Sequence, residues 1–156
     1  MRCNGELDSV DMRILKLLQQ DCRISNSDLA VIIGLTEAPV LRRVQKLYKS
    51  GVIKGFHARL DESHMGFDHK VLVMVKLKEQ NKKSYAFFES EMKKWVELEK
   101  LMLVRGGFDY IVDFRLKSHL DEKNLLLRLS AIDGIQNIET MTVIETVVDR
   151  PLLNIG

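Results

Sequence analysis

The stretch LTEAPVLRRVQKL, Leu35 to Leu47, separates into two faces when wound at about 100° per residue. Val40, Leu41, Val44, Leu47 and the following Tyr48 fall on one side. Arg42, Arg43, Gln45, Lys46 and Lys49 fall on the other, with no acidic residue among them. Thr36 suits the N-cap position, and Pro39 sits in the first turn, where a missing N–H does little harm. Glu37 at the first helical position complements the helix dipole; facing DNA it would repel phosphate unless it accepted from a cytosine amine. A basic helix face can equally be a solvated one, so the neighbouring sequence has to decide.

Upstream, Val10, Ile14, Leu17 and Leu18 recur at helical spacing after Asp8 and Asp11, acids that suit a first turn. The run Ile24-Ser25-Asn26-Ser27-Asp28 interrupts that pattern and supplies capping side chains. A short second helix follows through Leu29, Ala30, Ile32 and Ile33. Gly34 ends it, because glycine takes the left-handed C-terminal conformation at no side-chain cost. Helix, short glycine-containing turn, helix is the order of a helix-turn-helix. Downstream, VIKGFHARL, Val52 to Leu60, alternates around Gly55 and reads as a small hairpin, a wing with Lys54, His57 and Arg59 turned outward. A duplex would explain this arrangement. Arg and Lys release counterions from phosphates, and side chains in the N-terminal half of such a helix reach base edges, where Arg on guanine is worth ~1–3 kcal/mol of discrimination.

Charge follows the same division. Residues 1–60 hold ten Lys/Arg against six Asp/Glu, a balance of +4, and the remaining 96 hold 14 against 16, a balance of −2. With 156 residues and 46% hydrophobic content the chain is long enough for two small folded domains. No apolar run approaches the roughly 18 residues that span a bilayer, and the polar N-terminal segment is unlike a signal peptide. Cys3 and Cys22 are too few to staple a secreted scaffold. These features place the chain in the cytoplasm, with no membrane partner.

Residues 61–69, beginning DESHMGFD, form a polar, glycine-containing hinge. Lys70 to Leu77 is a nearly continuous apolar strand, expected to be buried on both faces. Ser84 to Trp95 is helical, with Phe87, Phe88, Met92 and Trp95 on one side. Leu98–Val104 and Tyr110–Leu116 are strands, and Ser118 caps a helix through Leu125, Leu126 and Leu129. A final strand runs from Ile135 to Val148. The order β-α-β-β-α-β is the ferredoxin-like one. The fold class is therefore α+β: an N-terminal winged helix-turn-helix (1–60), a hinge (61–69) and a C-terminal ferredoxin-like sandwich (70–156). Two helices on one face of a four-stranded sheet leave the other face open, which points to oligomerisation. No phosphate-binding glycine loop, HExxH, GxSxG or CxxC pair is present. The four histidines are scattered, and His64 and His69, five apart, make a poor metal pair. No catalytic residue, metal site or cofactor is expected. The turn Gly106-Gly107-Phe108-Asp109-Tyr110 is the exception in this half. Paired glycines let something approach the backbone or simply form a tight hairpin. Asp109 could accept from an ammonium group while nearby N–H groups hold a carboxylate.

Taken together, LDSVDMRILKLLQQDCRISNSDLAVIIGLTEAPVLRRVQKLYKSGVIKGF, then GGFDY, then DGIQNIETMTVIETV resemble the Lrp/AsnC (feast/famine) transcription regulators, over nearly everything from Leu7 to Val148. The resemblance implies dimers joined through the C-terminal sheets, commonly assembling to octamers, with paired winged helix-turn-helix domains on double-stranded DNA at the nucleoid. On the helix-turn-helix and wing described above, the expected DNA contacts are Ser27, Thr36, Glu37, Ala38, Arg42, Arg43, Gln45, Lys46, Lys54 and Arg59. The resemblance also implies a small effector, most often an amino acid, against the Gly106–Tyr110 loop. A neighbouring subunit would supply Thr140, Met141 and Thr142, and Leu103 matches a position tied to effector response. Two departures stand out. Thr36-Glu37-Ala38-Pro39 replaces the usual Ser-Pro start of the recognition helix, and Met141 stands where an aromatic is common. The softer pocket this makes would suit leucine or methionine better than asparagine.

Two other classes compete. Siroheme decarboxylases resemble this architecture but would need histidines and arginines around a porphyrin, which scattered histidines and a basic helix do not supply. A pure metabolite-sensing module with an inert head is the other, and a DNA-binding assay separates it.

Overall fold

The computed structural model describes residues 7–149 and 152–155 of the chain. The described residues form two compact units, one of residues up to 59 together with the tail from Val148, the other of Leu60–Val147. The tail, read from sequence as part of the C-terminal domain, thus belongs with the N-terminal unit. Gln19 exchanges hydrogen bonds with the Leu153 backbone at 2.8 and 3.3 Å, and Arg59 pairs with Asp149.

The N-terminal unit is three helices, α1 (Ser9–Gln20), α2 (Asn26–Ile33) and α3 (Glu37–Lys49). Asp8 caps α1 through a reciprocal box: its carboxylate accepts from the Asp11 N–H while Asp11 accepts from the Asp8 N–H. Ser25 caps α2 by accepting from the Asp28 N–H. Gly34, at φ 81°, closes α2, and the Leu35 N–H reaches back to the Ala30 carbonyl at 2.9 Å. Three residues therefore turn the chain into α3. Ile14, Leu29, Ala30, Ile33, Val40 and Leu47 form the core, with Val10, Leu17, Leu18, Val44 and Ile53 packed around it. At about 1.5–3 kcal/mol per buried large aliphatic side chain, this small cluster drives the unit's folding.

Arginine clasps add geometry. Arg13 donates to the Ile32 and Ile33 carbonyls at 2.9 and 3.2 Å, occupying acceptors that α2's C-terminus would leave open.

Several local expectations are corrected. Thr36 occupies the N-cap position of α3 but makes no side-chain capping bond. Leu41 and Tyr48, placed on the apolar face by the helical wheel, are exposed, since the core is only wide enough for Val40, Val44 and Leu47. The wing is not a hairpin: Val52 to Leu60 contains no strand. A lone two-stranded ribbon is marginal in water, and Gly55 weakens it further. The segment instead folds against α3, with the Ile53 N–H on the Leu47 carbonyl at 3.1 Å and Phe56 stacked on Tyr48 at 6.2 Å between centroids.

The second unit comprises β1 (His69–Leu77), α4 (Lys82–Met92), β2 (Leu98–Leu103), β3 (Tyr110–Leu116), α5 (His119–Ser130) and β4 (Ile135–Thr142). Its sheet is antiparallel in the order β2-β3-β1-β4, the ferredoxin-like arrangement. Strand β1 alternates rather than being buried on both faces. Val71, Val73, Val75 and Leu77 are sealed in the core, whereas Leu72, Met74 and Lys76 are only half-buried on the open face. Across the core face Val112, Phe114 and Leu116 of β3 meet Phe88 and Met92 of α4 and Leu125 and Leu129 of α5. Strand β4 ends at Thr142, short of the expected Val148, because β1, its only neighbour in the sheet, begins at His69 and the Val143 N–H on Lys70 O closes the ladder.

Candidate nucleic-acid interface and effector loop

On α3, Arg42, Gln45, Lys46 and Lys49 follow one another at spacings of three, one and three, so all four stand on one stripe of the helix. The stripe is exposed and lines a shallow groove of about 420 Å³ with Ser50. Among the described residues, none of these four side chains has a hydrogen-bond or ion-pair partner within the chain. The charges of Arg42, Lys46 and Lys49 are uncommitted. The groove is shallow and open rather than enclosed, the shape of a surface that lies against an extended polyanion rather than of a small-molecule pocket.

Arg43 differs. Its guanidinium donates to Asp8 at 2.6 Å and to Asp11 at 2.7 Å, and Asp11 is buried at 3% exposure. Hydrogen bonds to Asp11 and then Asp8 raise the Arg43 pKa above its ordinary value. The Asp11 N–H and then Arg43 hold the Asp8 carboxyl below its own. The sequence placed Arg43 on the DNA face because the wheel shows angle but not neighbours. In the fold it stands at the edge of the stripe and ties α3 to the start of α1. Arg59 is likewise occupied, by Asp149. Ser27, Thr36, Glu37, Ala38 and Lys54 are exposed.

In the second unit the expected effector residues divide into two groups. Leu103, at the end of β2, is 58% exposed, and the turn Gly106-Gly107 lies open with Phe108 half-buried beside it. Gly106 has φ +155°, and a Cβ built at Gly106 or Gly107 would meet no atom within 4 Å. Packing within one chain therefore does not account for the absence of a side chain at Gly107.

Asp109 and Tyr110 are buried and already employed. Asp109 accepts from the Leu77 N–H at 2.8 Å, from Gln80 at 3.4 Å and from Lys76 at 3.5 Å. It fastens the loop to the end of β1, and its carboxylate is not presented to an incoming ammonium group. Tyr110 donates its hydroxyl to Glu89 at 3.0 Å; burial, reinforced by that carboxylate, pushes its pKa well up. Both residues shape the loop from beneath. Thr140, Met141 and Thr142 lie on the opposite edge strand, separated from β3 by β1, so one chain does not bring them to the loop. Register places Met141 beside Leu72 on the open face and Thr140 beside Val73 on the helix face.

Sequence reasoning missed one assembly. His69, His119 and Glu122 converge where β1 begins and α5 begins. The only sequence signal was a histidine and a glutamate three apart at a helix start; His69 comes from 50 residues earlier and is brought in by the fold.

A basic stripe with free charge on a helix-turn-helix, and a separate α+β unit offering an open glycine turn, together define a DNA-binding regulator with its own ligand-binding domain. Comparison with known proteins agrees. Residues 7–48 match the AsnC-type helix-turn-helix domain and residues 70–153 the Lrp/AsnC ligand binding domain. The chain is 34% identical over 145 residues to a leucine-responsive regulatory protein of Rhizobium meliloti, covering 92% of this chain and 93% of that one. It is 36% identical over 152 residues to the transcriptional regulatory protein DoeX of Halomonas elongata, covering 97% and 96%. A Neisseria meningitidis transcriptional regulator solved in complex with L-Met shares the fold at a TM-score of 0.87 and 23% identity, over 95% of this chain and 96% of that one. Escherichia coli AsnC shares it at 0.87 and 22%, over 94% and 98%. The chain belongs to the Lrp/AsnC family of transcription regulators, which are DNA-binding proteins and not enzymes. Among the described residues no helix is long and apolar enough to cross a membrane.

Proposed function

We propose that this regulator acts in the cytoplasm, on the nucleoid, as a homodimer that assembles further, to an octamer, and whose assembly and DNA binding answer to an amino acid, leucine or methionine. Lys46 and Lys49 sit on phosphates, Arg42 and Gln45 reach base edges, and Thr36, Glu37, Ala38, Ser27 and Lys54 lie against the duplex at the margins. Arg43 holds the reading helix in place. The open sheet face supports dimerisation. Leu72 and Met74 line up there with Met141 and Ile111, and Asp113 beside them has a buried oxygen with no hydrogen-bond partner, which a docked surface could supply.

The observation that carries the effector reading is the empty space above Gly106 and Gly107. Exposed backbone N–H groups in such a turn suit a carboxylate, and Met141 from another copy suits an aliphatic or thioether side chain. The Neisseria regulator with L-Met bound has the same fold. Titration of leucine, methionine and asparagine into the protein, read by calorimetry, sedimentation and anisotropy of a labelled operator, tests it. Leucine or methionine is expected to bind, to change the sedimentation coefficient and to shift DNA affinity. If no amino acid changes assembly or DNA affinity, the effector reading fails. An effector can bias the assemblies only by its difference in affinity for them.

A further inference from the structure

We propose that His69, His119 and Glu122 form a binding site for a divalent cation of the zinc class, fastening the first residue of β1 to the first turn of α5. The donor atoms of the three residues all lie within 4.8 Å of one another, the only such group of three among the described residues. His69 Nε2 is 2.6 Å from Glu122 Oε2, and His119 Nδ1 is 3.7 Å from the same oxygen. Around a tetrahedral zinc with bonds of about 2.0–2.1 Å, donors stand roughly 3.3 Å apart. The ion therefore replaces the His69–Glu122 hydrogen bond with a small outward shift and draws in His119, whose side chain is 86% exposed and free to adjust.

The placement of His69 argues that something more than packing is at work. It lies on the core-facing row of β1, ahead of Val71, Val73, Val75 and Leu77, paired with Leu116. An aliphatic residue would serve packing there. Instead a histidine at 8% exposure meets a carboxylate and stands edge-on to a second imidazole, at 4.2 Å between ring centroids. Two imidazoles and one carboxylate suit zinc and its first-row neighbours, not calcium or magnesium. A helix N-terminus opposes a cation through its dipole, but Asp121 and Glu122 in the first turn of α5 supply compensating negative charge. The Thr142 hydroxyl donates to the other oxygen of Glu122 at 3.3 Å and so orients the carboxylate. A hollow of about 340 Å³, lined by His119, Glu122, Lys123, Leu126, Leu127 and Ser130, lies against two of the three donors.

The ion also reaches a third element. Through Glu122 it is linked to Thr142 at the end of β4, so occupancy ties β1, α5 and β4 together and stabilises the second unit by mass action. This site is separate from the Gly106–Tyr110 turn and does not depend on the effector assignment.

The test uses the full chain, stripped with chelator and titrated with Co²⁺, whose visible d–d bands report four-coordinate geometry, and with Zn²⁺ by calorimetry. One ion per chain is expected, with a Zn²⁺-dependent rise in melting temperature. His119→Ala removes an exposed side chain and leaves the fold intact. It is expected to weaken binding by more than about tenfold and to abolish the thermal shift. Glu122→Gln is expected to remove the four-coordinate Co²⁺ spectrum. His64→Ala, at the other exposed histidine–carboxylate pair, is expected to change nothing. Absence of Zn²⁺ binding, binding that His119→Ala leaves unchanged, or binding lost in His64→Ala overturns the proposal.

Discussion

Replacing Arg43 and Lys46 separately with alanine should produce opposite phenotypes, although the two residues lie three apart on one helix. Lys46 is exposed and unpaired within the chain. Its loss removes one phosphate contact per head, so the slope of log K against log salt falls by about 1 for each head engaged. Stability should stay within about 0.5 kcal/mol, as for a surface site. Arg43 is the partner of Asp11, which is buried at 3% exposure. Removing it strands a buried carboxylate, at a cost of about 1–3 kcal/mol. The lower half of that range applies, because the Arg43 side chain is itself 33% exposed and water can reach the vacated space. For a unit of this size about 1.5 kcal/mol corresponds to a fall in melting midpoint of roughly 6–12 °C. Calorimetric melting and anisotropy across a salt series, below the lowered midpoint, read both quantities for each variant. If Arg43→Ala melts like the parent and flattens the salt slope as Lys46→Ala does, Arg43 is a DNA contact and the clasp is not its role.

Four further outcomes follow from the same geometry. Gly34→Ala forces a side chain into a φ of 81° and should destabilise the head by about 1 kcal/mol, measurable by urea unfolding. Gly107→Val meets open space in the chain, so melting should be unchanged while amino-acid binding is lost; retained binding with the parent affinity counts against the turn as the effector site. Asp109→Ala leaves the Leu77 N–H without its buried acceptor and should lower the stability of the second unit by about 1–3 kcal/mol, an effect visible without any effector. The Asp8 carboxyl, held below its ordinary value first by the Asp11 N–H and then by Arg43, contributes stability that is present above its unfolded value of 3.8 and lost as pH falls through the folded value. Melting of the head from pH 6 to pH 2 should show that loss below about pH 4, and Asp8→Asn should make the decline shallower.

The helix-turn-helix was legible because every signal for it is local. Ser25, Gly34 and the spacing of Val40, Val44 and Leu47 each act over a few residues, and a period of 3.6 marks the buried side. The order of strands and helices in the second half was legible for the same reason. That Arg42, Gln45, Lys46 and Lys49 share one face follows from the spacing of one helix alone. What sequence could not reach was anything set by partners distant in the chain. Arg43 shares the basic face by angle, yet Asp8 and Asp11 claim it from 35 and 32 residues away. Asp109 reads as a ligand beside two glycines, yet the end of β1, 32 residues earlier, takes its carboxylate. The wing had the alternation of a hairpin but no third strand to support it. His69 and Glu122 are 53 residues apart, and only the crossing of β1 with the start of α5 makes them neighbours. Local spacing thus settled which elements form and which face is basic. Tertiary contact decided which charges remain free to act, because a charge is available only when no opposite charge has been folded against it.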